Sequence, residues 1–339
     1  MSRYALPFAA LFAFAACDGP AVVERALDDN GSSTSPIADE LPPGTENPSA
    51  NSGITRYEAF DRENGNGYAQ GFRYDPVRDR FFVDNLAFDG ANSPYTRVTG
   101  LGAFDPGPFR VYEGPSTYAD NVTGAPIEQF MHRAILGASD SGEVEFAIVR
   151  TGSYVNYGFG GFIYSRDGSV SLPLPATGQA HFEGEYRALR DFRNRGGLEY
   201  ASGDMYIDID FEDFNDGDAV KGAVFNRRVY DINGNDITAS VVAGLQTEYN
   251  NPAISVIPNL LFKVGPGHVD SNGEMAGDVN STVINGDGAA VEVESGKYYA
   301  LLSGEGVDEI VGVIVAQAAD ARSPGVIVRE TGGFILTRP

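Results

Sequence analysis

From Met205 onward the chain alternates strictly. Met205, Ile207, Ile209 and Phe211 are apolar, and Tyr206, Asp208, Asp210 and Glu212 lie between them. Side chains of a strand point alternately to opposite faces, so one face is apolar and the other acidic. Asp216-Gly217 supplies the residue types of a tight turn, since both central positions of a type I′ turn require positive φ. Centring a hairpin there, over 203–226, puts Glu212 opposite Lys221, Ile209 opposite Val224 and Phe211 opposite Gly222. A one-residue slip would carry Asp and Lys to the apolar side, so this register is well specified.

Similar segments recur along the chain. Residues 54–170 hold strand patterns at RYEAFDR, FRYDPVRDRFFVDNLAF, PFRVYEG, EVEFAIVRTGSYV and GFGGFIYSR, with a short helix expected at APIEQFMHRAIL (125–136). The proline-punctuated SLPLPATG (171–178) marks a boundary. Beyond it come GQAHFEGEYRAL, EYASGDMYIDIDFEDF, AVKGAVFNRRVYD, NLLFKVG, GEMAGDVNS, GKYYALLSGEG, VDEIVGVIVAQAA and GVIVRETGGFILTR. Eight such strands suit a small closed antiparallel barrel, because closure removes exposed edges and eight strands leave an interior that side chains fill; a sandwich is the alternative. The chain reads as mainly all-β: an eight-stranded β-barrel over 176–339, preceded by a β-rich handle-like domain over 54–170. The clearest strand turns Asp and Glu outward, which a lipid-facing band excludes.

The acids invite a metal reading, and the spacing argues against it. A helix–loop–helix calcium site needs D-x-[DN]-x-[DN]-G and a glutamate at position twelve. In the segment 231–242, Asp231, Asn233 and Asn235 fit, but Asp236 replaces the glycine and Val242 the glutamate. No nucleophile motif is present, and His132, His181 and His268 have no paired spacing. The expectation is a protein that is not an enzyme and has no metal site. Haem needs only one axial side chain. His132, on the expected helix, and Tyr154 or Tyr157 are the candidates, although ordinary aromatic packing and glycine-rich strand geometry are the preferred reading of them.

Charge narrows the partners. The net charge is −23, with only three lysines against twenty-one arginines. Nucleic acid is excluded as an expected partner, since phosphate neutralisation needs basic patches. One local feature opposes the acidity. EYRALRDFRNRGG, between the first two barrel strands, carries Arg187, Arg190, Arg193 and Arg195. Their spacing suggests a helical turn in an exposed loop, and arginine beside aromatics is the composition of binding hot spots. This loop is the candidate partner-binding surface; a solvated loop paired with Glu185 and Asp191 is the alternative.

Residues 1–17 have a basic start, an apolar run and small residues before the only cysteine, the pattern of an export signal too short to span a bilayer. FAAC resembles the lipoprotein signal, making Cys17 the expected lipidation site. Residues 18–53 are rich in Pro, Ser, Asn, Asp and Glu and read as a disordered tether reaching about 30–35 Å.

LPATGQAHFEGEY, SGDMYIDIDFEDFNDGDAVKGAVFN and SGKYYALLSGEGVDEIVGVI together resemble the barrel domain of transferrin-binding-protein-like lipoproteins, over roughly 176–339. Val311 stands where that family's second late strand has its first glycine, and Leu301 and Leu302 dilute the preceding glycine motif. The resemblance implies a soluble eight-stranded barrel and a handle on a lipidated tether, in the envelope of a Gram-negative cell, at the outer membrane and on the cell surface. It implies recognition of a protein or small ligand, linked to iron or haem uptake through an outer-membrane transporter. The alternative is a structural or adhesive lipoprotein. The large receptors of the family are bilobed, whereas this chain has length for one handle and one barrel.

Overall fold

The computed structural model describes residue 37 and residues 39–339, except 85, 87, 88, 90, 91, 105, 106, 171–177, 212–219, 264–268 and 305. Residues 1–17 with Cys17, the turn at Asp216-Gly217, most of the proline-punctuated boundary, and His268 fall outside them.

The first ten strands are β1 (Ile54–Tyr57), β2 (Gly71–Asp75), β3 (Arg80–Asp84), β4 (Tyr95–Arg97), β5 (Phe109–Glu113), β6 (Thr117–Ala119), β7 (Pro126–Glu128), β8 (His132–Ala138), β9 (Val144–Thr151) and β10 (Gly160–Arg166). Eight of them form one antiparallel sheet in the order β1-β10-β9-β8-β5-β4-β3-β2, and β6 and β7 make a separate hairpin. The remaining strands are β11 (Gln179–Arg193), β12 (Glu199–Asp210), β13 (Val220–Tyr230), β14 (Leu260–Phe262), β15 (Glu274–Ile284), β16 (Ala290–Ser303), β17 (Glu309–Ala319) and β18 (Ile327–Thr337), which close a barrel in chain order. One helix, α1 (Thr238–Glu248), follows β13.

Three apolar clusters hold these layers. Phe182, Tyr186, Met205, Ile207, Tyr298 and Phe334 belong to the one that fills the barrel. Phe109, Phe146, Ile148 and Phe162 from the sheet meet Leu189, Leu301, Val311 and Ile335 on the outer barrel wall. Phe81, Tyr95, Tyr112, Leu136 and Val149 line the inside of the curled sheet. Glycine permits the closest approach: a Cβ on Gly333 of β18 would lie 2.1 Å from the Phe146 ring.

All eight expected barrel strands are present. The β12–β13 hairpin differs in register: Lys221 pairs with Asp208, Gly222 with Ile207 and Val224 with Met205. The displacement is four residues, an even number, so the apolar face stays inside; Met205, Ile207, Ile209 and Phe211 are all buried. Lys221 still meets an acid, with Nζ 3.4 Å from Asp208 Oδ2.

The helix expected at 125–136 is not formed. Its residues contribute β7 and β8, and β8 lies between β5 and β9. Ala134 and Leu136 of β8 enter the cluster inside the curl and Ile135 the one against the barrel. A strand buried on both faces shows no alternation, so its apolar run imitates a helix. Residues 39–53, expected as the end of a tether, lie against the folded body. Thr45 N–H donates to Thr55 O at 3.0 Å and Tyr57 N–H to Pro43 O at 3.0 Å, which covers the open edge of β1. Ile37 and Ala50 are buried.

Candidate binding surface at the seam of sheet and barrel

The arginine segment is a strand, not a loop: Arg187, Arg190 and Arg193 belong to β11. Alternation sends the four guanidinium groups to different places. Arg187 is buried on the outer wall, over Phe104 and Phe109 at 5.7 and 5.2 Å, and its Nη2 donates to Glu185 Oε1 at 3.0 Å. Arg190 points into the barrel mouth, with Nη1 3.0 Å from Glu199 Oε2 and Nε 3.3 Å from Glu330 Oε2. The mouth continues as a ladder of alternating charge. Arg227 binds Glu294 and Glu330, Arg195 and Arg322 bind Glu199 and Asp320. Four arginines thus balance four acids. Burial pushes the Arg227 guanidinium down, but Glu294 and Glu330 outweigh it and hold it well above its ordinary value. Buried charge is tolerated when it is paired and hydrogen-bonded in this way. Arg187 and Arg190 are thus buried and engaged in ion pairs.

Arg193 and Arg195 lie at the far end of β11, where the 152–158 segment of the sheet joins the barrel. Asn156 bridges Arg193, Asn194 N–H donates to Val155 O at 2.6 Å, and Gly197 N–H to Gly152 O at 2.6 Å. Tyr157 is the buried peg of this joint: its ring lies beneath Arg193 at 5.8 Å and Arg329 at 4.4 Å, and its hydroxyl donates to Gln317 Oε1 at 3.2 Å. Arg329 also binds Asp191 and accepts nothing itself, donating to Asn64 O at 2.8 Å. Beside it, Arg150 forks onto Glu58 at 2.6 and 3.0 Å and reaches Thr331 on the barrel at 2.9 Å. Burial alone would raise the Glu58 carboxyl, yet Arg150 and Arg329 hold it below its usual range.

Above this locked seam the surface is aromatic. Phe60 and Tyr68 stand 5.1 Å apart, Tyr68 and Phe159 4.8 Å, and Phe159 and Tyr154 5.6 Å. Phe60 is 61% exposed, Val155 58% and Tyr154 43%. Arg193 is exposed next to them and makes no ion pair among the described residues. Two features noticed separately in the sequence, the arginine run and the Tyr154 and Tyr157 pair, thus meet in one place. Phe60 and Tyr68 gave no signal, because their stacking partner Phe159 lies far along the chain.

The other sequence candidates are not assembled. His132 is wholly enclosed on β8, with Nδ1 3.0 Å from Phe130 O and its ring against Tyr95. An enclosed imidazole has no face open to a ligand as large as haem. His181 lies on the outer barrel wall, 2.6 Å from Asp208. Asp231 is a turn residue whose carboxylate takes the backbone N–H groups of Asn233 and Asn235, both at 2.9 Å. Among the described residues no group of three or more His, Cys, Asp or Glu is placed to hold a metal, and no helix is long and apolar enough to cross a membrane.

A closed eight-strand barrel with a curled eight-strand sheet against its wall does not by itself define a function. In that architecture the chain is similar to solved structures of transferrin-binding protein B. For a double mutant from Haemophilus parasuis Hp5 the identity is 12% and the TM-score 0.42, over 84% of this chain and 46% of that one. For the isotype 1 protein of serogroup B Neisseria meningitidis the values are 12% and 0.35, over 84% and 43%. The intact two-lobe protein Ap-TbpB gives 12% and 0.34, over 66% and 38%. The chain therefore spans less than half the length of these proteins. No protein-family model and no curated protein matches it.

Proposed function

We propose that this chain is a non-enzymatic binding lipoprotein of a Gram-negative cell envelope, anchored through Cys17, and that its seam surface captures a protein partner. The observation that carries the reading is the contiguous patch of Phe60, Tyr68, Phe159, Tyr154 and Val155 beside the exposed Arg193. Exposed aromatics grouped with an arginine are the composition of interface hot spots, and water gains nothing from leaving such a patch uncovered. The rigid seam beneath means that little order has to be imposed on binding, which favours affinity. Transfer of the captured cargo to an outer-membrane transporter, in iron or haem uptake, is the physiological part of the same proposal.

The test is affinity capture from growth medium and host fluids on the immobilised full chain, run beside a Phe60→Ala/Tyr154→Ala double variant. A protein retained by the wild type should be lost by the variant, with affinity falling roughly thirtyfold, on the order of 2 kcal/mol. The thermal melt should not change, since both side chains are exposed. Equal retention by both proteins would remove this surface as the binding site.

A further inference from the structure

On the part of the barrel wall that the curled sheet leaves uncovered, one strand is cut short. β13 runs from Val220 to Tyr230, whereas its neighbour β14 spans only Leu260–Phe262. The pairing between them is limited to Ala223 with Leu261 and Val224 with Leu260. The far end of β13 is taken by the start of the α1 segment: Ile237 N–H donates to Val229 O at 2.9 Å, and Val229 N–H to Thr238 Oγ1 at 3.0 Å. Between these two limits the stretch 225–228 has no strand across from it among the described residues. Four residues of extended chain are about 13 Å long.

A groove of about 690 Å³ occupies this gap. Asp204 of β12, with Asn226 and Arg228 of β13, forms one wall; Ser255, Val256 and Asn259 form the other. The register of β12 and β13 shifts between Ser202 and Asp204, and Asn226 takes φ 50°. This bulge aims Arg227 inward to Glu294 and Glu330 and leaves the neighbouring backbone at the groove. Charges along the groove are mostly settled. Glu185 holds Arg187 and Arg228 holds Asp236. Asp204 is different: Asn226 Nδ2 donates to it at 2.7 Å, and no cation reaches it among the described residues. The groove therefore keeps one exposed, uncompensated carboxylate.

We propose that this groove is a second binding site, distinct from the seam surface, which takes an extended basic segment of a protein. The segment supplies the missing half of the fourth barrel strand. Its main chain hydrogen-bonds to the open flank of β13, and a lysine or arginine side chain meets Asp204. Strand addition draws affinity from main-chain bonds and specificity from alternate side chains, and it also closes an edge that a barrel normally leaves nowhere open.

The probe is a fluorescein-labelled octapeptide of alternating threonine and lysine, titrated against the full chain at 0.15 M ionic strength, where the Debye length of about 8 Å suppresses diffuse attraction to the acidic surface. Two controls share its length: alternating threonine and glutamate, and the basic peptide N-methylated at alternate residues, which keeps its charge but cannot complete a ladder. The basic peptide should bind saturably and at least tenfold more tightly than either control. Asp204→Asn should weaken it fivefold or more. Ser255→Trp, at an exposed position on the rim, should fill the groove and abolish binding with an unchanged melt. Undiminished binding of the N-methylated peptide, or undiminished binding to the Ser255→Trp variant, would show that only surface charge is involved and overturn the proposal. So would preference for the acidic peptide, or absence of saturable binding.

Discussion

His132 sits on β8 with its ring against Tyr95, and Tyr95 donates its hydroxyl to Asp89 Oδ2 at 3.2 Å. Burial pushes the imidazole down to about 4, against the pull of the Phe130 carbonyl. Burial pushes the Asp89 carboxyl up to about 6, against the Tyr95 hydroxyl bond. The unfolded chain binds more protons than the folded one at His132 between about pH 4 and 6.5, so that contribution is complete above 6.5 and lost as pH falls through 4. At Asp89 the folded chain binds more protons between about 3.8 and 6, so that contribution is complete below 3.8 and lost as pH rises through 6. Each amounts to about 3 kcal/mol, and they oppose one another in the same window. Urea titrations at intervals from pH 4 to 6.5 should separate them. His132→Gln should become less stable, relative to wild type, as pH rises. Asp89→Asn should become more stable, relative to wild type, over the same interval. Parallel profiles for all three proteins would contradict this account.

At the scale of elements, what the sequence conveys depends on how many faces of a strand are buried. β12 has one face in the core and one in water, so Met205 to Phe211 alternate and both the strand and its facing are legible. Its pairing register is less so, because Asp216-Gly217, outside the described residues, has the composition of a two-residue turn while the observed pairs place Lys221 opposite Asp208. An even displacement of four residues leaves the facing intact, and the alternation does not distinguish the two registers. β8 is hidden for the opposite reason: with both faces buried its run of Ala134-Ile135-Leu136 has no period. α1 gives little warning, since Ile237 stands at its N-cap without a side-chain hydrogen bond, its first turn has no acid and only Val241, Val242 and Leu245 are buried. The arginines of β11 read as a loop because a charged residue suggests water, and one of the two acids that hold Arg190, Glu330, lies 140 positions away. β18 yields a direct test. Gly333→Ala places a methyl group 2.1 Å from the Phe146 ring, so the sheet must shift on the barrel, at a cost of about 1–3 kcal/mol. Thermal denaturation should show that loss, and Phe146→Leu in the same chain should recover part of it.

At the scale of the whole molecule, the sheet and barrel are pinned at both ends of their contact. Arg56 forks onto Glu274 at 2.7 and 2.9 Å, Arg166 donates to Leu302 O at 2.6 Å, and Arg150 reaches Thr331. Each guanidinium crosses from the sheet to the barrel, and removing one partner of such a buried pair typically costs about 3–5 kcal/mol. The body so formed is what the proposed anchor would hold at a membrane. Cys17→Ser should move the chain from the membrane fraction to the soluble fraction after cell disruption and abolish incorporation of radiolabelled palmitate. Unchanged membrane association, with label retained, would refute the anchor.

The seam also determines what kind of object the aromatic patch is. Phe60 and Tyr154 come from the sheet, Arg193 from the barrel, and Tyr157 bolts them together. The patch is consequently an assembled epitope, joined to its arginine only in the folded whole and absent from any linear peptide of the chain. Antibodies raised against denatured protein would miss it, and those raised against the native patch would recognise only the joined fold.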